Sequence, residues 1–599
     1  MTHRLPSATP ALTHALRLPG SPWSPPALLG RLAALAAVAV LALGVGCSAA
    51  ERTPATVASG PATGDSGPAT VASGPATGES GPATGESGPV TGGEGTTWYV
   101  RADGGAPSRC DGRTDAPAAG ASGRACAWAH PFHALPPGGP PRIAGGDRLV
   151  IGDGEYMMGS GAPGATACAP EYPWDCHMPP VPSGPDRTRP TRILGAGHAA
   201  GCPSRPQLWG TERARTVLNL TGSSNVEVAC LEVTDRSECV EFHSGAIRCQ
   251  RDRPPFGPWA ANGLIASDSR NVRLADLDIH GLASGGVRAG RLTDWEVVNV
   301  RIAANGWVGW DGDIGGSGSS NAGTLRFTRW VVEWNGCGET WPGRQPTGCW
   351  GQTAGGYGDG VGTAKTGGHW IIEDSVFRHN TSDGLDLLYL EGDGRLTLDR
   401  VRAEGNAGNQ IKARGPTTIS NAIVAGHCAF FRGKPFTHNV DDCRALGDAV
   451  SLTVDPGQVA SLTSSTIYGE GNCLLVAGGD ASSRVVARNT ILTGGPFALR
   501  PSDTSCWYYA EGGIVLQTDY LLVNSRRGPA CPGGTSRCGV DPMLQSTQAG
   551  AFDARLRAGS PALDSGAPIG GPVPAVDAFG APRPAGAGPD RGAVEMQGR

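Results

Sequence analysis

The chain has 599 residues, of which 93 are Gly and 49 are Pro; 17% are charged and the formal net charge is −5. That glycine content excludes a mainly helical protein, and the length is far too great for one small sandwich. The negative balance gives no general basic face to neutralise phosphates, which argues against nucleic acid as a partner.

At the N-terminus Arg17 and Arg31 precede LAALAAVAVLALGVGC at 32–47. A basic region followed by about 14 apolar residues is an export signal, too short to span a bilayer comfortably. Its end, Leu43-Gly44-Val45-Gly46-Cys47, resembles a lipobox, with Gly44 where that pattern usually has Leu. The resemblance implies that Cys47 carries lipid and anchors the chain at an outer membrane or cell surface. The alternative is ordinary cleavage after a small residue and a secreted product. Seventeen cysteines fit an oxidising compartment, and with Cys47 set aside sixteen remain, enough for eight disulfides. Residues 48–96 carry a seven-residue repeat from Ser59 (SGPATGD, SGPATVA, SGPATGE) that can form no core. It reads as a flexible tether with a root-mean-square reach of about 40 Å.

The folded part is expected over 97–538, starting at Trp98-Tyr99-Val100. Residues 126–135, within ACAWAHPFHAL, suit a short apolar helix that caps the first coil. Short β-rich runs follow: DRLVI at 147–151, VLNL at 217–220, NVRLADLDI at 271–279, LRFTRWVV at 325–332 and HWIIEDSVF at 369–377. Gly, Asn and Asp separate them and no helix intervenes, which argues for an all-β array. Glycine-led strand starts recur from Gly263 to Gly286 and from Gly360 to Gly384, steps of 23 and 24 residues. Periods in the twenties made of strands and turns predict a solenoid, here a right-handed parallel β-helix. An Asn follows successive strands at 305, 335, 380 and 406, and stacked Asn side chains can bond one another along the axis. The cysteines fall in near pairs (110/126, 168/176, 239/249, 337/349, 428/443, 531/538), suited to pinning loops, although spacing does not give connectivity. A monomer is expected.

Three consecutive coils carry the chemistry: GDGVGTAK at 358–365, SDGLDLLYL at 382–390 and GNQIKARG at 408–415. Aligning Val361, Leu385 and Ile411 as inward residues puts Asp359, Asp383 and Asn409 in one column at the turn. Gly362, Asp386 and Lys412 then form a second column pointing outward. With coils about 4.8 Å apart, Asp359 lies over Asp383 and Asp386 lies beside Lys412. Carboxylates that close repel unless a cation neutralises them, and calcium, a hard ion with flexible oxygen ligands, suits Asp359, Asp383 and Asp386. Lys412, beside such a cation and Arg414, is the candidate general base, its acidity expected to be enhanced there. Lys365 is a second, lesser candidate. The alternative is structural: turn carboxylates bonded to backbone N–H groups, and a Lys412–Asp386 surface ion pair.

These segments resemble the calcium-dependent pectate lyases of polysaccharide lyase family nine, which carry a DG segment, then an SDDGWDL-like segment, then NGFK-like residues. The resemblance covers about 60 residues; Ser382 stands where the family has an Asp, and Gln410-Ile411 where it has Gly-Phe. It implies calcium at Asp359, Asp383 and Asp386, Lys412 as base, and cleavage of an acidic polysaccharide by β-elimination. Trp341 and Trp350, flanking the Cys337/Cys349 loop, are candidates to overhang the groove and stack sugar rings, whereas Trp330 and Trp334 suit packing. Asp311 and Asp313 suit a plain turn more than a second cation, and His427 and His438 lack metal-ligand spacing. Residues 539–599 resemble a C-terminal module of bacterial surface β-helices, matched at Asp564, Asp577, Arg583, Asp590 and Glu595, and read as structural capping. A non-catalytic glycan-binding or adhesive β-helix, and a glycoside hydrolase or epimerase on the same fold, remain as alternatives.

Overall fold

The computed structural model of the protein describes residues 95–598 other than 242–248, 250–253, 315–319, 352–356 and 571. The expected signal, Cys47 and nearly all of the tether lie outside the described residues.

Each coil contributes one strand to each of up to three parallel sheets, so the chain winds as a right-handed parallel β-helix, the sense that parallel crossovers favour. The first sheet runs through 13 strands from Thr97–Gly105 to Val515–Asp519, in unbroken sequence order. The second also has 13, from Glu155–Met158 to Arg537–Cys538. The third has 10, from Ala214–Asn219 to Tyr509–Glu511. Period-two burial turns one side of each strand into a single axial core; His369–Glu373 and Arg395–Asp399 both bury only their second and fourth residues. Mid-axis that core is aromatic: Phe327 stacks on Trp330 at 4.4 Å and on Trp370 at 5.3 Å between ring centroids.

The corner from the first to the second sheet is made by one residue in the left-handed conformation. Asp276, Asn299, Arg329, Asp374, Arg400, Asn421, Ser464, Asn489 and Tyr520 each follow a first-sheet strand directly, with φ between 47° and 55°. A single left-handed residue turns the chain within one step, and Asn and Asp tolerate it best. The corner from the second to the third sheet carries the predicted ladder. Asn305 Nδ2 donates to Asn335 Oδ1 (3.0 Å), Asn335 to Asn380 (2.9 Å) and Asn380 to Asn406 (2.8 Å), all fully buried. Asn406 Nδ2 ends the series on Gln410 Oε1 at 2.9 Å. This ladder explains the periodic glycines. A Cβ on Gly309, Gly360 or Gly384 would lie 2.8, 2.7 or 2.5 Å from a ladder Asn amide nitrogen, with the next coil's carbonyl as close.

The long insertions leave from this same corner. Residues 236–259, 334–360, 427–449 and 495–508 all connect a second-sheet strand to a third-sheet strand. Disulfides Cys239–Cys249, Cys337–Cys349 and Cys428–Cys443 close three of them, and Cys473–Cys506 ties the fourth to the coil before. Cys110–Cys126, Cys168–Cys176, Cys202–Cys230 and Cys531–Cys538 complete the eight. The apolar helix predicted over 126–135 shrinks to one 3-10 turn, Pro131–His133. Pro136 and Pro137 disfavour helical backbone before them and supply no N–H for a further turn. Its Phe132 still closes the N-terminal end of the core.

Candidate active site

The site lies on the third sheet, where Val361–Gly362, Leu385–Leu387 and Ile411–Arg414 stack. The register is the one counted from the sequence: Val361 opposite Leu385 opposite Ile411, and Gly362 opposite Asp386 opposite Lys412. The inward residues are fully buried, which fixes the outward direction of Asp386 and Lys412.

At the turn, Asp359 and Asp383 are also buried, and backbone N–H groups hold them. The Asp383 N–H donates to Asp359 Oδ1 at 2.9 Å, and the Asn409 N–H donates to Asp383 Oδ1 at 2.7 Å. Lys412 Nζ donates to Asp383 Oδ2 at 3.1 Å and to Asp386 Oδ2 at 2.7 Å, and the lysine side chain is 20% exposed. Three carboxylates thus face one ammonium in a largely dry place. Burial, then the charges of Asp383 and Asp386, pushes the Asp359 carboxyl up to about 8. Burial likewise raises Asp386 to about 6 against the pull of Lys412. For Lys412 burial works against the charge, yet Asp383 and Asp386 outweigh it and hold the amine above the ordinary lysine range. With only the carboxylates as its neighbours the amine is held as an ammonium; the depression expected for it belongs to the site with a cation bound.

Among the described residues no three His, Cys, Asp or Glu side chains are gathered closely enough to cage a metal ion as they stand. The donors nonetheless fit a hard divalent cation. Asp359, Asp383 and Asp386 offer carboxylate oxygens, and the buried Asn409 Oδ1 has no hydrogen-bond partner. Such a cation competes with the ammonium for the same oxygens.

Other expected residues are placed elsewhere. Arg414 turns its guanidinium to Asp455 at 2.8 Å and does not join the cluster. Lys365 is exposed, 3.5 Å from Glu391. Trp341 lies over the Arg236 guanidinium, itself stacked on Trp209, and Trp350 is buried against His438 at 4.9 Å. Neither indole is a free sugar platform, because each is occupied in fastening the 337–349 hairpin. Trp330 is core, and Trp334 packs against Phe430, Phe431 and Phe436. Asp311 forms a turn with the Asp313 N–H and faces Arg288 at 3.3 Å. His427 Nε2 contacts the Thr547 carbonyl oxygen at 2.9 Å.

Two residues escaped the sequence reading. Asp448 extends the turn column, accepting from the Cys473 N–H at 2.8 Å, and burial raises it to about 6. Arg444 reaches back over the neighbouring coil, and its Nη1 donates to Ser382 Oγ at 3.2 Å. The insertion at 427–449 hides both from any count of period; the one available signal was the cysteine beside Arg444. The backbone there is unusual. Cys443, Ala445 and Leu446 have φ of 50°, 49° and 73°, a left-handed conformation that costs about 1–3 kcal/mol at each non-glycine residue. The Cys428–Cys443 disulfide and the bond from the Arg444 N–H to the Ala407 carbonyl (2.9 Å) hold it.

No protein-family model and no curated protein sequence matches the chain. Among solved structures, the pectate lyase Pel9A aligns with a TM-score of 0.39 and 13% identity, over 84% of this chain and 96% of its own. An alginate lyase from Paenibacillus sp. str. FPU-7 aligns with 0.29 and 13%, over 63% and 93%. A mannuronic acid specific family 6 lyase from human gut microbiota aligns with 0.29 and 11%, over 62% and 78%. Likeness at this level carries no argument about chemistry, which rests on the side chains just described.

Proposed function

We propose that the protein is a calcium-dependent polysaccharide lyase that cleaves a uronate-containing glycan by β-elimination, exported and anchored at a surface through Cys47. One contact carries the reading: the Lys412 amine, on an outward strand position, bridges Asp383 and Asp386 beside the buried Asp359 carboxyl. Eight disulfides fit the oxidising compartment in which such a glycan is met.

Unprotonated, Lys412 Nζ takes the C5 proton of a uronate; the electron pair forms the C4–C5 double bond, the C4–O bond breaks, and the leaving oxygen takes a proton from solvent. Calcium bound through Asp359, Asp383 and Asp386 would neutralise the sugar carboxylate and make the C5 proton more acidic. Asp383 and Asp386 aim the amine, and their charge sets how hard it is to deprotonate. Turnover is therefore expected to rise with pH into the alkaline range and to fall as the amine is protonated, read from initial rates across pH.

The test is ultraviolet absorbance of unsaturated products after incubation with pectate, alginate and other uronans, with calcium or with chelator. Lys412→Ala runs beside the wild type. A signal that needs both calcium and Lys412 supports the lyase; none on any uronan, from folded protein, sinks it. The locked ammonium favours a second reading, glycan binding without turnover, which predicts retention on a uronan column and no new absorbance.

A further inference from the structure

We infer that Arg444 is a specificity-determining residue of this site, binding the carboxylate of the acidic sugar presented to Lys412; the inference rests on the lyase reading above.

A uronate chain that approaches the third sheet meets three carboxylates, Asp359, Asp383 and Asp386, against one ammonium already shared by two of them. Calcium would answer part of that charge, and a cation that no protein acid has claimed would answer the rest. Along this face Arg288 is paired with Asp311, Lys365 with Glu391 and Arg414 with Asp455. Arg444 differs: its side-chain hydrogen bond goes to a neutral hydroxyl, Ser382 Oγ at 3.2 Å, and among the described residues it pairs with no carboxylate. Ser382 precedes Asp383 in the chain and its hydroxyl acts to lower the Asp359 carboxyl, so the guanidinium sits one hydroxyl away from the cluster.

Guanidinium chemistry suits the task. Its fork of donors matches a carboxylate in a two-pronged contact and stays charged where an amine titrates. One prong anchored on Ser382 leaves the others to the ligand. The setting is built to hold that pose. Left-handed backbone at Cys443, Ala445 and Leu446 brackets Arg444, and the Cys428–Cys443 disulfide and the Arg444 N–H bond to Ala407 fix it against the coil. Strained backbone beside an unclaimed cation is a feature of ligand clamps rather than of solvent loops.

The experiment measures, in chelator so that calcium adds no preference of its own, calorimetric binding of a uronate oligosaccharide and of its methyl ester, which lacks the charge, to full-length protein carrying Lys412→Ala so that nothing is cleaved. The acid is expected to bind about tenfold more tightly than the ester, and Arg444→Gln added to that background is expected to erase the preference. Arg444→Lys, which keeps the charge and loses the fork, should restore part of it; a merely structural arginine would leave the acid-to-ester ratio unmoved. Matching thermal unfolding of the variants guards against a folding defect. A preference that survives Arg444→Gln overturns the assignment while wild-type turnover keeps the lyase standing. A wild type that neither binds nor cleaves any uronan overturns both.

Discussion

The Asp359 carboxyl carries a testable cost. Its folded-state value, about 8, lies above the ordinary carboxylate value it takes when unfolded, so the unfolded chain releases the proton first as pH rises. Stability is thus lost progressively between the ordinary value and about 8, and the full penalty applies above that. Asp359→Asn, whose side-chain oxygen still accepts from the Asp383 N–H, should stabilise the protein by about 1–3 kcal/mol above pH 8 and match wild type in acid, as read from denaturant unfolding across pH. The Asp383, Asp386 and Lys412 placement was legible in sequence because apolar residues and glycines at a steady period count the coils. Which cation each acid meets was not. Arg414 met Asp455 instead of the cluster, and Arg444 enters from an insertion whose path no period predicts. Trp341 and Trp350 show the same limit, since closeness to a cysteine pair says nothing about which way a hairpin folds over.

Among the elements, the hairpin of Cys337–Glu339 and Pro346–Cys349 is latched by charge. Fully buried His280 bonds Glu339 through Nδ1 and Glu232 through Nε2, the latter at 3.0 Å, while Arg344 pairs with Glu232 and with Asp278. Burial alone would lower this histidine, but the bonds to Glu232 and Glu339 raise it to about 9. Its folded value exceeds the unfolded one, so the stabilisation, about 2–4 kcal/mol, is whole below the ordinary histidine value and lost as pH climbs through about 9. Hydrogen exchange in the hairpin should quicken over that window in wild type and be fast throughout in His280→Gln. The asparagine ladder can be probed in the same way. Asn380→Ala strands the Asn335 side-chain amide and backbone N–H in the dry core, an expected loss of about 2–4 kcal/mol in unfolding. The ladder was readable because an Asn follows four successive strands; the left-handed corner was not, since Arg329, Arg400 and Tyr520 serve there as well as Asn.

For the whole molecule, the flank of the second sheet needs covering as much as the core needs filling. Ile423, Tyr468, Ile491 and Leu522 form an apolar strip that the hairpin of Leu544–Ser546 and Asp553–Leu556 and the segment holding Ala562 and Val594 bury. Arg583 fastens this segment by donating to the Gly592 and Ala593 carbonyls, and Asp590 and Glu595 accept backbone N–H groups around it. A chain ended after Cys538 should keep its coils but expose the strip, with self-association in light scattering and stronger binding of an apolar dye. The axis itself has a direction. Peptide dipoles alternate along a strand and nearly cancel, but every ladder amide points its N–H toward the C-terminal coils. The aligned amides form a polar wire like a short stretch of helix, with its positive pole in the coil of Gln410, two residues before Lys412. A spine built to keep coils in step thus also biases the potential around the acidic cluster, favouring negative charge where Asp359, Asp383 and Asp386 gather.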